Sequence, residues 1–225
     1  MIEQNIHLEL RDVWKIYKDG DKIIHSLSRI NCSFQEGSFN IIQGPSGSGK
    51  STLIRIIGLL ENATMGKVLV NGKNTTDFSQ NKRNSIIRDN IGLIFQGSNL
   101  IPTINAIENL TLPMISSDNK KAKILLEKVG FKDYMKFPDE MSVEEEQRVC
   151  IARAMVNNHS LILADEPTGE LHTSEAKNIM KLLWDLNNSE DLTMIITTNN
   201  SKLSGFNANK MDMVDGTIYK NKMEY

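Results

Sequence analysis

Residues 44–52 read Gly-Pro-Ser-Gly-Ser-Gly-Lys-Ser-Thr, which satisfies the pattern G-x-x-x-x-G-K-[ST] with one further glycine, Gly47, inside it. Gly44, Gly47 and Gly49 carry no Cβ and tolerate positive φ. Successive backbone N–H groups can therefore converge on one concavity and approach phosphate oxygens closely. A helix beginning near Gly49 aims the positive end of its dipole at the same point. Lys50 is placed to reach the β/γ-phosphates and the Ser51 hydroxyl to ligate Mg²⁺, while Pro45, Ser46, Ser48 and Thr52 complete the loop. The mostly apolar residues 39–42 precede the loop as a buried strand, and residues 53–60 follow it as a helix. Strand, loop and helix in that order predict an α/β core and a nucleoside triphosphate as ligand.

Working outward, 225 residues suffice to bury a sizeable core without disulfides or metals, and one nucleotide-binding unit with subdomains is expected. A formal net charge of -2 and the lack of any long run of Lys or Arg give no electrostatic footprint for nucleic acid, so no nucleic-acid partner is expected. Cys32 and Cys150 are far apart, sit in apolar patterns and have no metal-ligand spacing. They read as reduced, half-buried thiols of a reducing cytosol. The first residues, Met-Ile-Glu-Gln-Asn, lack a basic region and an apolar core, and the longest apolar stretch is interrupted by Arg55. A chain that neither crosses a membrane nor is exported by itself is expected.

The N-terminal 40 residues alternate apolar and polar positions over 7–10 and 13–17, turn at 18–20, and resume over 23–34 as a pair of strands. They predict an antiparallel β layer. Residues 67–70 with the Asn71-Gly72 turn add a hairpin, and 91–95 add a core strand. From about 98 to 158 the pattern is helical, with Gly130 as a stop signal, which reads as a helical subdomain inserted in the core. Residues 161–164 and 193–197 are short apolar runs separated by a helix over 174–187, the mark of parallel strands joined by a crossover. The expected organisation is one domain, with core and β layer in 1–97 and 159–225 and a helical subdomain in 98–158.

The run Leu-Ile-Leu-Ala-Asp-Glu over 161–166 puts Asp165 and Glu166 at the end of a buried strand, where an unpaired charge is costly and function is the readiest reason for it. In enzymes with such a phosphate loop, an Asp there holds Mg²⁺ and a following Glu can act as general base on the attacking water.

With both motifs in hand, the chain resembles an ATP-binding-cassette (ABC) ATPase over essentially its whole length. The resemblance rests on five stretches. Tyr17 falls at the aromatic position that stacks on adenine. Residues 44–52 match the phosphate loop, and Ile94-Phe95-Gln96 the loop whose glutamine senses Mg²⁺ and contacts membrane subunits. Residues 147–155 match the helix after the signature loop, and Ala-Asp-Glu-Pro-Thr-Gly over 164–169 the second phosphate-site motif. Leu100-Ile101-Pro102, Glu108-Asn109-Leu110 and the Glu-Pro-Thr-Gly run look most like the lipoprotein-release, macrolide-export and cell-division branch.

The resemblance implies a P-loop NTPase fold with a parallel sheet, and a cytoplasmic subunit held at the inner face of the membrane by a permease subunit. It also implies a dimer of cassettes, homodimer or heterodimer, with two ATP molecules sandwiched head to tail. Tyr17, Lys50, Ser51, Gln96, Asp165, Glu166 and residue 199 would serve the chain's own ATP and Mg²⁺, and Ser142 the partner's ATP.

The sequence departs from the family in three places. The signature Leu-Ser-Gly-Gly-Gln reads Met141-Ser142-Val143-Glu144-Glu145, without either glycine. At about 4 Å from a phosphate charge, Glu144 would cost roughly 4 kcal/mol at an effective dielectric near 20, unless it turns outward. The same residues form a capping-box sequence whose glutamates offset a helix dipole, so the helix start is also suited to stabilising itself. Asn199 stands where the family has a histidine beside the γ-phosphate, able to donate a hydrogen bond but not to carry charge. His172 replaces an aspartate in the loop after the second motif. Two functional expectations follow: hydrolysis that is slowed, or an ATP-binding regulatory subunit with little turnover beside an active partner.

Overall fold

The computed structural model describes residues 6–200 and 206–220. β1 (Ile6–Asp19) and β2 (Lys22–Gln35) are two long antiparallel strands. The two runs expected over 7–17 are therefore one strand, as is the pair expected over 23–34. The reason is a bulge in each. Leu8, Leu10 and Val13 all face the core, as do Leu27, Ile30, Cys32 and Phe34, although the apolar spacing slips by one residue in each strand. Asp12 and Arg29 absorb the extra residue at φ 50° and 53°, and the Asp12 N–H donates to Asn31 Oδ1 at 2.9 Å. A bulge of this kind restores inward alternation without ending the ladder.

β3 (Phe39–Gln43) runs into the phosphate loop and α1 (Lys50–Ile57), after which β4 (Met65–Val70) and β5 (Lys73–Asn74) complete a four-stranded sheet of order β2-β1-β4-β5. α2 (Gln80–Asn90) has a Ser79 cap and buries none of its residues, so no apolar period announced it in the sequence. β6 (Ile91–Ile94) is followed by three helices, α3 (Ala106–Thr111), α4 (Asn119–Lys128) and α5 (Val143–Ala154). The chain then returns through β7 (Leu161–Asp165), α6 (Thr173–Glu190), β8 (Thr193–Thr198), β9 (Asn209–Val214) and β10 (Thr217–Lys220).

The second sheet has the order β10-β9-β3-β8-β7-β6, and every pair except β9–β10 is parallel. β7 and β8 are buried throughout, as strands covered on both faces must be. β3 shows how the core divides. Ile42 packs with α1 and the antiparallel sheet, whereas Phe39 and Ile41 point to the layer of α3, α4, α5 and α6. Cys32 and Cys150 form no disulfide, and both are buried rather than half-buried.

The expected α/β core with a parallel sheet and an antiparallel N-terminal layer is thus the observed one. It sets the C-terminal ends of β3, β6, β7 and β8 side by side, where ligands bind in open parallel sheets.

Candidate functional site

The phosphate loop is held in place by its glycines. The Gly44 N–H donates to the Thr198 carbonyl at 3.2 Å, and a Cβ on Gly44 would collide with the Met213 carbonyl. Gly49 occupies the N-cap of α1 at φ 102°, and a Cβ there would collide with the Ser26 carbonyl. Ser48 ties the loop to the β9–β10 turn by accepting from the Gly216 N–H at 2.9 Å. α1 starts with no side-chain cap and no acidic residue in its first turn, which leaves its positive end uncompensated.

Lys50 is buried, and its ammonium has three oxygen neighbours. It donates to the carbonyls of Gly44 at 2.8 Å and Pro45 at 2.9 Å and pairs with Glu166 Oε1 at 3.2 Å. The three donors of a lysine are thereby all directed. Glu166 follows the last residue of β7 and adopts φ 47°, a left-handed conformation costly for a side-chain-bearing residue. Its N–H is fixed by Thr197, with the carbonyl at 3.1 Å and the hydroxyl at 3.2 Å. The Thr197 hydroxyl also donates to Asp165 Oδ1 at 2.7 Å, and Asp165 is buried.

Between these groups runs a groove of about 290 Å³. Ser46, Gly47, Gly49, Lys50, Ser51 and Thr52 of the phosphate loop line it together with Gln96, Glu166 and Asn199. Residues drawn from four separate stretches of sequence therefore meet in one place. Ser26 also lines the groove and donates to Thr52 Oγ1 at 2.8 Å, a member that no motif announced. The backbone just beyond Gln96 is tied to α5. The Ser98 carbonyl, two residues on, accepts from Arg153 at 3.0 Å and lies 2.7 Å from the Cys150 thiol, whose pKa burial pushes up to about 12.

Tyr17 and Ser142 lie outside this groove. Tyr17 is half-buried on β1, and its hydroxyl donates to Glu61 Oε2 at 2.7 Å. Ser142 caps α5 and borders a different depression of about 490 Å³, shared with Glu144, Glu145 and Arg148. Its hydroxyl accepts from the Glu145 N–H at 3.2 Å, and its own N–H donates to Glu145 Oε2 at 2.8 Å, the capping box expected from the sequence.

Lys136 pairs with the same Glu145 carboxylate at 2.8 Å and, as the largest influence, holds its pKa below the ordinary glutamate range. Glu144 is turned back along the helix, accepting from Arg148 Nη2 at 2.6 Å and Nε at 3.1 Å. Val143 is left 47% exposed at the helix start. The exposed His172 precedes α6, where its N–H donates to Glu175 at 3.1 Å.

The fold and the groove define a protein that binds phosphate groups at the C-terminal edge of a parallel sheet. A family profile described as ABC transporter matches residues 27–169. The chain is 40% identical over 218 residues to the ABC transporter ATP-binding protein MJ1508 of Methanocaldococcus jannaschii, covering 94% of this chain and 97% of that one. It is 36% identical over 216 residues to the macrolide export ATP-binding/permease protein MacB of Bdellovibrio bacteriovorus, covering 94% of this chain but 33% of that one. A dimeric structure of the cassette MJ0796, in a post-hydrolysis state bound to ADP and Pi, superposes with a TM-score of 0.86 at 36% identity, covering 96% of this chain and 99% of that chain. The chain belongs to the ABC transporter family, as an ATP-binding subunit. Among the described residues no helix is long and apolar enough to cross a membrane.

Proposed function

We propose that the chain hydrolyses ATP slowly and that closure of a cassette dimer over two ATP molecules moves a membrane permease subunit. The observation that carries this reading is the buried pair of Lys50 and Glu166 at 3.2 Å inside a groove that Ser51 and Gln96 also line. A triphosphate brings its own oxygens to Lys50. Because the lysine's donors are all directed, the arriving phosphate displaces Glu166, and the freed carboxylate takes a proton from water. Asn199 offers a neutral hydrogen bond to the γ-phosphate. Tyr17 stacks on the base.

The donor set suits Mg²⁺: the Ser51 hydroxyl, the Gln96 amide oxygen and the Asp165 carboxylate are hard oxygens. Among the described residues no cluster of three His, Cys, Asp or Glu side chains forms a metal cage of its own. Few protein ligands with the rest from phosphate is how Mg²⁺ is commonly held. The bound ion would neutralise phosphate charge.

Segment 98–158 is the helical subdomain of a single domain whose core is 1–97 and 159–225, and its surface beside Gln96, outside the nucleotide groove, receives the permease. The fused ATPase and permease named in MacB supports such a partner, and the MJ0796 dimer supports pairing of cassettes. The subunit would then sit in the cytoplasm against the inner face of the membrane.

A second reading, an ATP-binding regulatory subunit paired with an active cassette, is favoured by Val143, Glu144 and Glu145 at the start of α5. There Ser142 is engaged in its own cap and a side chain stands where a glycine would admit phosphate.

Single-turnover hydrolysis of ATP by the chain with its membrane partner, against Glu166→Gln, separates the two. A glutamate-dependent rate at least about 100-fold above the variant supports the enzyme. Equal rates would leave only the regulatory subunit.

A further inference from the structure

Glu61 lies beyond the end of α1, in no motif, yet several groups converge on it. Its Oε2 accepts from the Tyr17 hydroxyl at 2.7 Å and pairs with Lys15 Nζ at 3.2 Å. Its Oε1 faces Arg55 Nη1 at 3.5 Å. Lys15 in turn donates to the Asn62 carbonyl at 2.9 Å and stands over the Tyr17 ring, 4.9 Å from its centroid. The Tyr17 ring is thus held at its hydroxyl by Glu61 and on one face by Lys15, whose ammonium is itself held by Glu61 and the Asn62 carbonyl. Burial alone would raise the Glu61 carboxyl, but the hydrogen bonds from Tyr17 and Lys15 outweigh it and keep the group below its ordinary range.

We propose that Glu61 is a positioning residue for nucleotide binding: with Lys15 it locks the plane of the Tyr17 ring relative to α1, so that a nucleobase stacks on the face opposite Lys15 while its phosphates sit at the start of that helix. The inference rests on the nucleotide reading above. The distance between base platform and phosphate cradle is fixed because one short segment, Arg55 to Asn62, continues the helix of the cradle and holds Tyr17 and Lys15 at its far end. A pre-set platform costs less ordering entropy when the ligand binds. Stacking reads no base edge, so the effect applies to any purine triphosphate.

The test is isothermal titration of the full chain with ATP, GTP and inorganic tripolyphosphate, comparing Glu61→Leu, Tyr17→Phe and the double variant. Losing one such hydrogen bond is expected to weaken ATP and GTP about fivefold each. Tripolyphosphate, which has no base, is expected to bind unchanged, and this also certifies the fold of each variant. The double variant is expected to be no worse than Glu61→Leu alone, because that change already removes the link to Tyr17. Unchanged ATP affinity in Glu61→Leu, or equal weakening of ATP and tripolyphosphate, overturns the positioning role. Failure of the unaltered chain to bind ATP overturns the nucleotide reading itself.

Discussion

Two helix starts in this molecule can be set side by side. α1 opens on a glycine at φ 102°, with no capping side chain, no acid in its first turn and a buried lysine. α5 opens on a serine in a closed capping box, with Glu144, Glu145 and Glu146 in its first turn. Both ends present backbone N–H groups and a positive dipole. At α1 these are left for a ligand and the local structure bears the cost. At α5 the Ser142 hydroxyl takes the Glu145 N–H and the first-turn glutamates offset the dipole, with Glu145 paired to Lys136 and Glu144 to Arg148. What stabilises a helix N-terminus is what removes it as an anion site, and the chain has resolved that conflict in opposite ways at its two candidate phosphate contacts.

The contrast breaks most sharply at Lys50. Lys50→Ala is expected to lower ATP affinity by about 100-fold, two charge-assisted hydrogen bonds at about 1.5 kcal/mol each, as measured by equilibrium titration. It also strands the Glu166 carboxylate, whose side chain is 12% exposed. If affinity were untouched, the groove would not be where phosphate binds.

Making α5 resemble α1 gives the next effect. Val143→Gly with Glu144→Gly is expected to raise turnover about tenfold, a gain of ~1.4 kcal/mol in closure over the opposing phosphate. The same change removes an i,i+4 pair and places two glycines in a helix, costing about 2 kcal/mol, so Tm should fall by about 4–8 °C. An unchanged rate with the expected fall in Tm would show that the occupied helix end obstructs nothing.

The two ends also differ in how openly the sequence declared them. The phosphate loop was legible because its chemistry is local: backbone geometry forces glycine at fixed spacing, and the strand and helix flanking it are continuous. The α5 capping box was legible for the same reason. The orientation of Glu144 was not, since it depends on Arg148, which is itself held by the Val129 carbonyl from another element at 2.6 Å. Ser26 and Glu61 were missed because they reach the site only through tertiary pairing. β1 and β2 were read as broken segments because a bulge shifts the apolar period by one, which in a sequence looks like an ending. α2 left no trace because Ile86 and Ile87 alone pack against the core, and two adjacent apolar residues make no helical period.

The smallest effect separates the cap's hydrogen bond from its charge. Glu145 accepts from the Ser142 N–H and pairs with Lys136, and its pKa lies below the ordinary glutamate value of 4.5. A depressed carboxyl contributes stability that is complete above its unfolded value and is lost as pH falls through the folded one. Glu145→Gln keeps an oxygen for the Ser142 N–H but gives up the charge. Because the Glu145 side chain is 37% exposed, the pair with Lys136 is worth less than about 1 kcal/mol, and Tm at pH 7 should fall by no more than about 4 °C. That difference between the two proteins is expected to shrink as pH is lowered from 5 through the acidic side of 4.5 and to vanish in high salt, which screens the pair. Melting curves over pH and salt decide it. No difference between the two proteins at pH 7 and low salt would mean that the hydrogen bond rather than the ion pair carries the cap, and α5 would then hold its closed start without help from the charges that set it apart from α1.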